Sequence, residues 1–262
     1  MHPVRAQHRE FEAPPALRGA VKCFWYDRID GAALGAPFEV LPDGYVEIIF
    51  HCGGTCGMSV GGRLQRVPSP FVMGLLKQPV VLHADGPLDI IGIRCYPWAV
   101  FDLLGLAAGS DRVRLFAHPI ARLQATLEPC LQAGRLEEAV AHLEQHLIQV
   151  RSHMAIDGVL ARAGAALVES NGTMPVGEVA AAAHATVRTL ERRFRQFSGH
   201  TVKEVVGVMR FEQVRNTLFL QPHASIAALA PALGYVDQSH LSREFKRYTG
   251  TTPAAFARRR RS

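Results

Sequence analysis

The chain has 262 residues, of which 48% are hydrophobic and 20% charged, so it contains enough apolar material for two domains of ordinary size. No apolar run approaches the roughly 18 residues that span a membrane, and the N-terminus lacks the apolar core of a secretory signal, so we expect a cytoplasmic protein. Five scattered cysteines, an odd number, favour reduced thiols over a disulfide framework.

The positive charge of the chain is concentrated in its last third. Residues 172–262 contain 14 Lys and Arg against 6 Asp and Glu, a net charge of +8. The preceding 171 residues contain 15 against 17, a net charge of −2, which accounts for the overall +6. This asymmetry favours a polyanionic partner for the last third, although a merely solvated basic surface would give the same count.

Residues 20–100 have the pattern of short strands between turns. After the turn signal at 41–44, polarity alternates from Val46 to Phe50. Further apolar runs follow, at 71–76, 80–82 and 90–93. Gly, Pro and Asp separate these runs, at 53–54, 61–62, 68 and 85–87. Many short strands between frequent turns predict a β sandwich or barrel.

From about Leu115 the apolar spacing lengthens to that of a helix. One predicted helix has an apolar stripe, formed by Leu136, Val140, Leu143, Leu147 and Val150. The stripe either packs within its own domain or forms a dimer seam. Asp157 begins a further predicted helix, which Asn171 and Gly172 end as a C-terminal cap. Beyond that point the chain is predicted to be helical almost to its end.

Two segments of the last third repeat each other at an offset of 51 residues. Residues 187–202 are VRTLERRFRQFSGHTV and residues 238–253 are QSHLSREFKRYTGTTP. Identical residues recur at five positions, namely Leu190 and Leu241, Arg192 and Arg243, Phe194 and Phe245, Gly199 and Gly250, and Thr201 and Thr252. The recurrence predicts two copies of one structural unit.

Each copy follows a shorter predicted helix, at 178–183 and 226–233. Tight turns at His184-Ala185 and Gly234-Tyr235 would separate the helices, with Thr186 and Asp237 as N-caps of the second helix. Helix, turn and second helix form the helix-turn-helix motif. The polar face of each second helix supplies the candidate DNA-contacting residues, which are Arg188, Arg192 and Arg195 in the first copy and Gln238, Ser239, His240, Ser242, Arg243 and Lys246 in the second.

This arrangement resembles the DNA-binding domain of the AraC/XylS family of bacterial transcription regulators, over about residues 156–259. The resemblance depends mainly on the run from Gly234 to Pro253. It implies an all-α domain in which helix-turn-helix units at about 176–197 and 225–248 are joined by one long helix at 202–220. His184 departs from the family, which usually has Gly at that turn; His tolerates positive φ better than most residues. The long helix would measure roughly 28 Å, which suits recognition helices one DNA turn apart.

The string from Val40 to Phe50 is similar to a cupin-like sensory domain found ahead of such DNA-binding domains. The resemblance implies a β-rich sensory and dimerisation domain over residues 1–150, and hence an α+β protein. Glu47 is a candidate ligand-binding residue if it points into a barrel; by simple alternation it faces solvent. Duplex DNA is the expected partner; a small-molecule effector, RNA polymerase and a second copy of the chain are further candidates.

Metal and catalytic signatures are weak throughout the sequence. His51, Cys52 and Cys56 lack the second nearby ligand pair of a zinc site and are expected to be strand residues. His83 and Asp85 lack the tandem histidines of a cupin metal site. We therefore predict a transcription regulator that is not an enzyme and that binds no metal or cofactor. It would act as an activator or as a repressor. The alternative is a metal-dependent cupin or a cysteine-based alkyl acceptor fused to a DNA-binding module. The run Arg258–Arg261 either holds phosphates or forms a disordered, solvated tail.

Overall fold

The computed structural model describes residues 7–30, 37–60, 63–115, 118–154 and 157–259. The chain divides into two compact units. The first comprises Met1–Val40, Tyr45–Gly74 and Val80–Ile156, and the second comprises Leu41–Gly44, Leu75–Pro79 and Asp157–Ser262. Within the described ranges, no helix is long and apolar enough to cross a membrane.

The first unit is built on an antiparallel sheet. Its eight strands in the described residues are β1 (Gln7–Glu12), β2 (Val21–Ile29), β3 (Phe38–Val40), β4 (Val46–Val60), β5 (Arg63–Val67), β6 (Phe71–Met73), β7 (Val80–Cys95) and β8 (Val113–Leu115). The sheet order is β1-β2-β7-β4-β6-β8, with β3 paired to β7 and β5 to β4. The predicted β-rich N-terminal domain, followed by a helical C-terminal domain, is confirmed.

Glycines bend the two long central strands without interrupting them. Gly53 has φ +90°, and the pairing of β4 with β7 shifts register between Gly53 and Thr55, as at a β-bulge. A Cβ on Gly54 would lie 2.4 Å from the carbonyl oxygen of Asp85, so only glycine fits this close approach. The prediction that residues 53–54 and 85–87 separate short strands is therefore wrong; residues 61–62, a third predicted separator, lie outside the described residues.

Helices α1 (Val100–Leu103), α2 (Gln124–Gln132) and α3 (Leu136–Ser152) complete the first unit. The apolar stripe of α3 is buried at Leu136, Val140, Leu143 and Leu147, with contacts to α2 and α1 of the same unit. Since these side chains are already covered, the expectation of packing within the domain is correct. The prediction of an exposed dimer seam along this stripe is wrong.

The second unit is helical. Its helices in the described residues are α4 (Gly158–Glu169), α5 (Val176–Ala182), α6 (Val187–Ser198), α7 (Val202–Leu220), α8 (Ile226–Ala232), α9 (Gln238–Thr249) and α10 (Pro253–Arg258). The oxygen Asp157 Oδ1 accepts from the backbone N–H groups of Val159 and Leu160, which caps α4 at the residue where the helix is predicted to begin.

The connecting helix α7 has the predicted bounds, and local hydrogen bonds define its start. At its start, Thr201 and Glu204 form a capping box, with Glu204 N–H to Thr201 Oγ1 at 3.1 Å and Thr201 N–H to Glu204 Oε2 at 2.8 Å.

At the C-terminal end of the second unit, Arg258 is the last residue of α10, so the prediction of a disordered tail is wrong at that residue. Arg260 and Arg261 lie outside the described residues.

Candidate nucleic-acid interface

Helices α5 and α6 form the first helix-turn-helix unit. Ala183 ends α5, His184 adopts φ +51° and the Thr186 hydroxyl accepts from the backbone N–H of Thr189 at 3.1 Å, which caps α6. Arg162 on α4 donates from its guanidinium to the carbonyl oxygen of Ala183 at 3.2 and 3.3 Å. The predicted turn and N-cap are therefore correct, and a neighbouring helix fixes the turn.

Helices α8 and α9 form the second unit in the same manner. Gly234 has φ +73°, and Asp237 Oδ1 accepts from the backbone N–H of His240 at 2.7 Å, which caps α9. Arg210 on α7 donates to the carbonyl oxygen of Gly234 at 2.8 Å and lies over the Tyr235 ring. An arginine from a preceding helix thus holds the turn in both units.

The first recognition helix presents three arginines to solvent. Arg188, Arg192 and Arg195 are exposed at spacings of four and three residues, and with Thr189 they line an open depression. Arg193 faces the protein instead, where its Nε lies 3.3 Å from Asp157 Oδ2. One face of α6 is therefore cationic and outward, as predicted, while the adjacent arginine is structural.

The second recognition helix presents a mixed polar face. Gln238, Ser239, Arg243 and Lys246 are exposed, whereas Ser242 and His240 are half-buried. The Nδ1 atom of His240 accepts from the backbone N–H of Val236 at 3.4 Å and its ring packs edge-on against Tyr235. Part of the His240 side chain thus supports the turn, so this position is less available than its neighbours.

Five cations on the two recognition helices lack intramolecular ion-pair partners among the described residues. They are Arg188, Arg192, Arg195, Arg243 and Lys246. Arg247, in the last turn of α9, instead interacts within the protein. Its Nη2 lies 3.0 Å from Glu244 Oε1 and 2.7 Å from the Tyr248 hydroxyl. Unpaired guanidinium and ammonium groups on rigid helices can bind phosphates and base edges.

Sequence reasoning missed Val236, whose side chain is 85% exposed immediately before the cap of α9. Val187, the first residue of α6, is exposed as well. Apolar side chains at the leading ends of recognition helices are suited to contact the methyl group of thymine. The signal was present in the sequence, because only one residue separates His184 from its cap while two separate Gly234 from Asp237.

Glu47 is placed differently from the solvent-facing position that alternation predicts. Its side chain is only 8% exposed, and Arg94 Nε donates to Glu47 Oε1 at 2.8 Å. The two residues are direct cross-strand partners of β4 and β7, which explains the pair. Glu47 therefore faces inward as an ion-paired carboxylate, and its role in ligand binding stays a prediction.

Cys52 and Cys56, the strand cysteines considered as metal ligands, are buried, and among the described residues neither belongs to a cluster of three metal-ligating side chains. Gln124 Nε2 donates to Cys52 Sγ at 3.2 Å, and His51 Nε2 lies 3.0 Å from the carbonyl oxygen of Val67. Burial raises the pKa of the Cys52 and Cys56 thiols to about 11, the opposite of an activated nucleophile. His51, Cys52 and Cys56 are strand residues, as expected.

Comparison with known proteins assigns the C-terminal part to a domain family. Residues 179–259 match the family described as helix-turn-helix domain, and residues 9–111 match a domain of unknown function, DUF6597. No curated protein sequence matches the chain. The match over 179–259 spans α6 and α9, so the predicted helix-turn-helix domain is confirmed.

The solved structures that are similar to the chain include the following three. ToxT from Vibrio cholerae is 12% identical with a TM-score of 0.46, covering 89% of this chain and 97% of that chain. The DNA-binding domain of AdpA, in complex with a target DNA, is 26% identical with a TM-score of 0.36, covering 40% and 95%. The AraC-like transcriptional activator CuxR is 14% identical with a TM-score of 0.29, covering 78% and 75%.

Proposed function

We propose that this chain is a DNA-binding transcription regulator with a C-terminal helix-turn-helix domain of the AraC type, and that both of its recognition helices enter the major groove of one operator. The observation that supports this proposal is the set of unpaired cations on the outer faces of α6 and α9. Arg192 and Arg243 occupy matching positions of the repeat and would contact base edges. Arg195 and Lys246, about one turn further on, would contact phosphates.

The N-terminal β domain, over about residues 1–150, is proposed as the sensory part and residues 156–259 as the DNA-binding part. The proposed further partners are a small-molecule effector, RNA polymerase and a second copy of the chain. We also propose a cytoplasmic location, because a transcription regulator needs access to its promoter. The ion pair of Glu47 and Arg94, in which Glu47 is buried and Arg94 is half-buried, is the place where an effector carboxylate or cation would compete. Sedimentation with and without DNA tests self-association, and two copies per operator are expected if the chain dimerises.

An enzymatic role is not proposed. The alkyl-acceptor alternative requires a thiolate, yet burial raises the pKa of Cys23, Cys52 and Cys56 to about 11. The cupin alternative requires a metal-ligand set on the strands, and His83 and Asp85 belong to no cluster of three ligands among the described residues. The unpaired cations on α6 and α9 are explained by the DNA-binding domain under either alternative, so the case against an enzyme rests on the buried thiols and on the strand residues.

The proposal is tested by selecting bound DNA from a random duplex pool with the purified full-length chain. A single operator with two half-sites about ten base pairs apart is expected. Lys246→Ala should weaken binding to all sequences about equally and lower the slope of log affinity against log salt by about one. Arg63→Ala, which removes an exposed charge from β5, is the matched control and should leave the slope unchanged. Enrichment of no sequence, with equal slopes for both variants, would contradict the proposal.

Val236 is proposed to contact a thymine methyl group at the edge of the second half-site. Replacing that thymine with deoxyuridine removes only the methyl group, so the parent chain should lose affinity at one position of the operator. Val236→Ala should be insensitive to the same replacement. If the parent chain binds both duplexes equally at every thymine, Val236 makes no such contact.

A further inference from the structure

Three side chains with different donor atoms meet between α2 and α3 of the first unit. The ligand atoms of Cys130, Glu138 and His142 all lie within 4.8 Å of one another. Cys130 is buried, His142 is half-buried and Glu138 is exposed, so the cluster opens to solvent on one side. It belongs to neither recognition helix and is not used by the proposed function.

Rigid elements hold the three residues in place. Glu138 and His142 are separated by four positions and therefore share one face of α3. Cys130 lies near the end of α2, and a tight turn joins the two helices, with Gly134 at φ +69° and Arg135 N–H to the Cys130 carbonyl oxygen at 2.8 Å. The buried residues of α2 and α3 pack against each other, which fixes the distance between the helices.

The donor set matches the preferences of a borderline transition metal. A thiolate sulfur, an imidazole nitrogen and a carboxylate oxygen are the ligands that Zn²⁺ takes at about 2.0–2.3 Å, usually in a tetrahedron. Calcium and magnesium take oxygen ligands and would not use the sulfur. We propose that Cys130, Glu138 and His142 bind one divalent transition-metal ion, with Zn²⁺ the best fit, and that water from the open side completes the coordination.

Binding exchanges one proton for the metal. The Cys130 S–H bond breaks, the sulfur–metal bond forms and the proton passes to solvent, while neutral His142 and ionised Glu138 bind without further change. Arg135 Nη1 now lies 2.6 Å from Glu138 Oε2, which leaves the second carboxylate oxygen for the metal. A divalent ion would offset the repulsion between the Glu138 carboxylate and a thiolate at Cys130.

The experiment uses the full chain, freed of any histidine tag and dialysed against a chelator. Addition of Co²⁺ should produce a thiolate-to-cobalt charge-transfer band that saturates at one equivalent, and Zn²⁺ should displace it. Cys130→Ser should abolish the band, and His142→Ala should weaken Zn²⁺ binding at least about tenfold, since even losses of outer-shell partners cost 10–100-fold. Glu138→Gln should weaken binding in the same direction.

Matched controls are available within the same domain. Cys56→Ser replaces another buried cysteine, and His146→Ala removes the histidine one turn further along α3; both should keep the band and the affinity. Circular dichroism checks that each variant is folded, and His142→Ala, at a half-buried position, gives a result even if Cys130→Ser unfolds. Absence of a charge-transfer band in the parent chain, or equal Zn²⁺ affinity in the parent and His142→Ala, would overturn the proposal.

Discussion

The two helix-turn-helix units both begin their recognition helix with a side-chain N-cap but have different turns. In the first, His184 and Ala185 connect the end of α5 to the Thr186 cap; in the second, Gly234, Tyr235 and Val236 connect α8 to the Asp237 cap. The left-handed residue is histidine in one and glycine in the other. The additional residue of the second turn is the exposed Val236. The turns therefore distinguish the two helix-turn-helix units, in addition to the different exposed faces of their recognition helices.

The ends of the recognition helices are alike in detail. The Ser198 hydroxyl donates to the Phe194 carbonyl oxygen at 2.7 Å and accepts from His200 N–H at 3.1 Å. Thr249 makes the equivalent bonds, to the Phe245 carbonyl oxygen at 2.9 Å and from Thr251 N–H at 3.2 Å. Most identities in the repeat therefore serve folding, and only the exposed Arg192 and Arg243 recur for a reason that the fold does not supply.

The largest expected effect is the loss of stability when the hydrophobic core of either helix-turn-helix unit is disrupted. Phe194 and Phe245 are fully buried, and Phe245 packs edge-on against Phe211 and Phe256 at centroid distances of 5.2 and 5.4 Å. Replacing either phenylalanine with Ala should lower the free energy of unfolding by about 3–5 kcal/mol, measured by urea denaturation. Val236→Ala, at an exposed position, should change it by less than about 0.5 kcal/mol. A small effect of Phe194→Ala would mean that the first unit lacks an independent core.

The next effect shows whether the first helix-turn-helix unit contacts bases itself or only supports the second unit. Arg192→Ala and Arg243→Ala should each weaken operator binding by about 1–3 kcal/mol and relax the preference at one or two base pairs, in different half-sites. Arg193→Ala removes the same charge from the inward face of α6 and is the matched control, with a smaller effect expected on sequence preference. Footprinting on the selected operator measures each case. If Arg192→Ala alters neither affinity nor preference, the first unit only braces the second.

The turns offer a pair of substitutions with opposite expected signs. His184→Gly relieves a left-handed conformation that costs about 1–2 kcal/mol and loses about 0.4–1 kcal/mol through the freer unfolded chain, so a net gain of up to about 1 kcal/mol is expected. Gly234→Ala should cost a similar amount, because its Cβ would meet no atom closer than 3.5 Å and only the positive φ opposes it. Thermal denaturation compares the two, and equal signs would show that turn strain is not the difference.

Local signals made the C-terminal domain predictable. Cap residues such as Thr186, Thr201 and Asp237 act on backbone groups within three positions, so their effect is visible in a short window of sequence. The bounds of helix α7 followed instead from the resemblance to the AraC/XylS domain, and the structure shows that a Thr201 cap begins it. The prediction of the polar faces also follows from the 3.6-residue period, although it could not show that Arg193 turns inward to Asp157, 36 positions earlier in the chain.

Long-range pairing made the N-terminal domain harder to predict. A glycine at a bulge and a glycine at a turn look alike until the partner strand is known, which is why the sequence pattern at Gly53 predicts a strand boundary. Sequence alone leaves Glu47 either in solvent or in a barrel pocket, because its partner Arg94 lies 47 positions away. The stripe of α3 has the same pattern whether it covers its own domain or a second copy, and only the packed structure decides between them.

The smallest expected effect is a pH dependence of stability that arises in the first helix-turn-helix unit and not in the second. His200 follows the cap of α6 and corresponds in the repeat to Thr251. Its side chain is 2% exposed, and its Nδ1 has no hydrogen-bond partner within the part of the chain that the structure describes. Burial lowers the pKa of His200 below its usual value near 6.5, Lys77 of the same compact unit acts in the same direction and Glu204 opposes both. The folded chain therefore favours the neutral imidazole, whereas position 251 has no titrating group.

Because the folded pKa is the lower one, the unfolded chain binds the proton first as the pH falls below about 6.5. The stability associated with neutral His200 is present above that pH and is lost as the pH falls towards the folded pKa. Urea denaturation at pH 7.5 and pH 5.5 should show a smaller loss for His200→Thr, which restores the residue of the second unit, than for the parent chain. His223→Thr, at an exposed position between α7 and α8, should keep the loss of the parent. Equal losses in the parent and His200→Thr would mean that the imidazole is protonated in the fold at no cost, with Glu204 as its counter-ion.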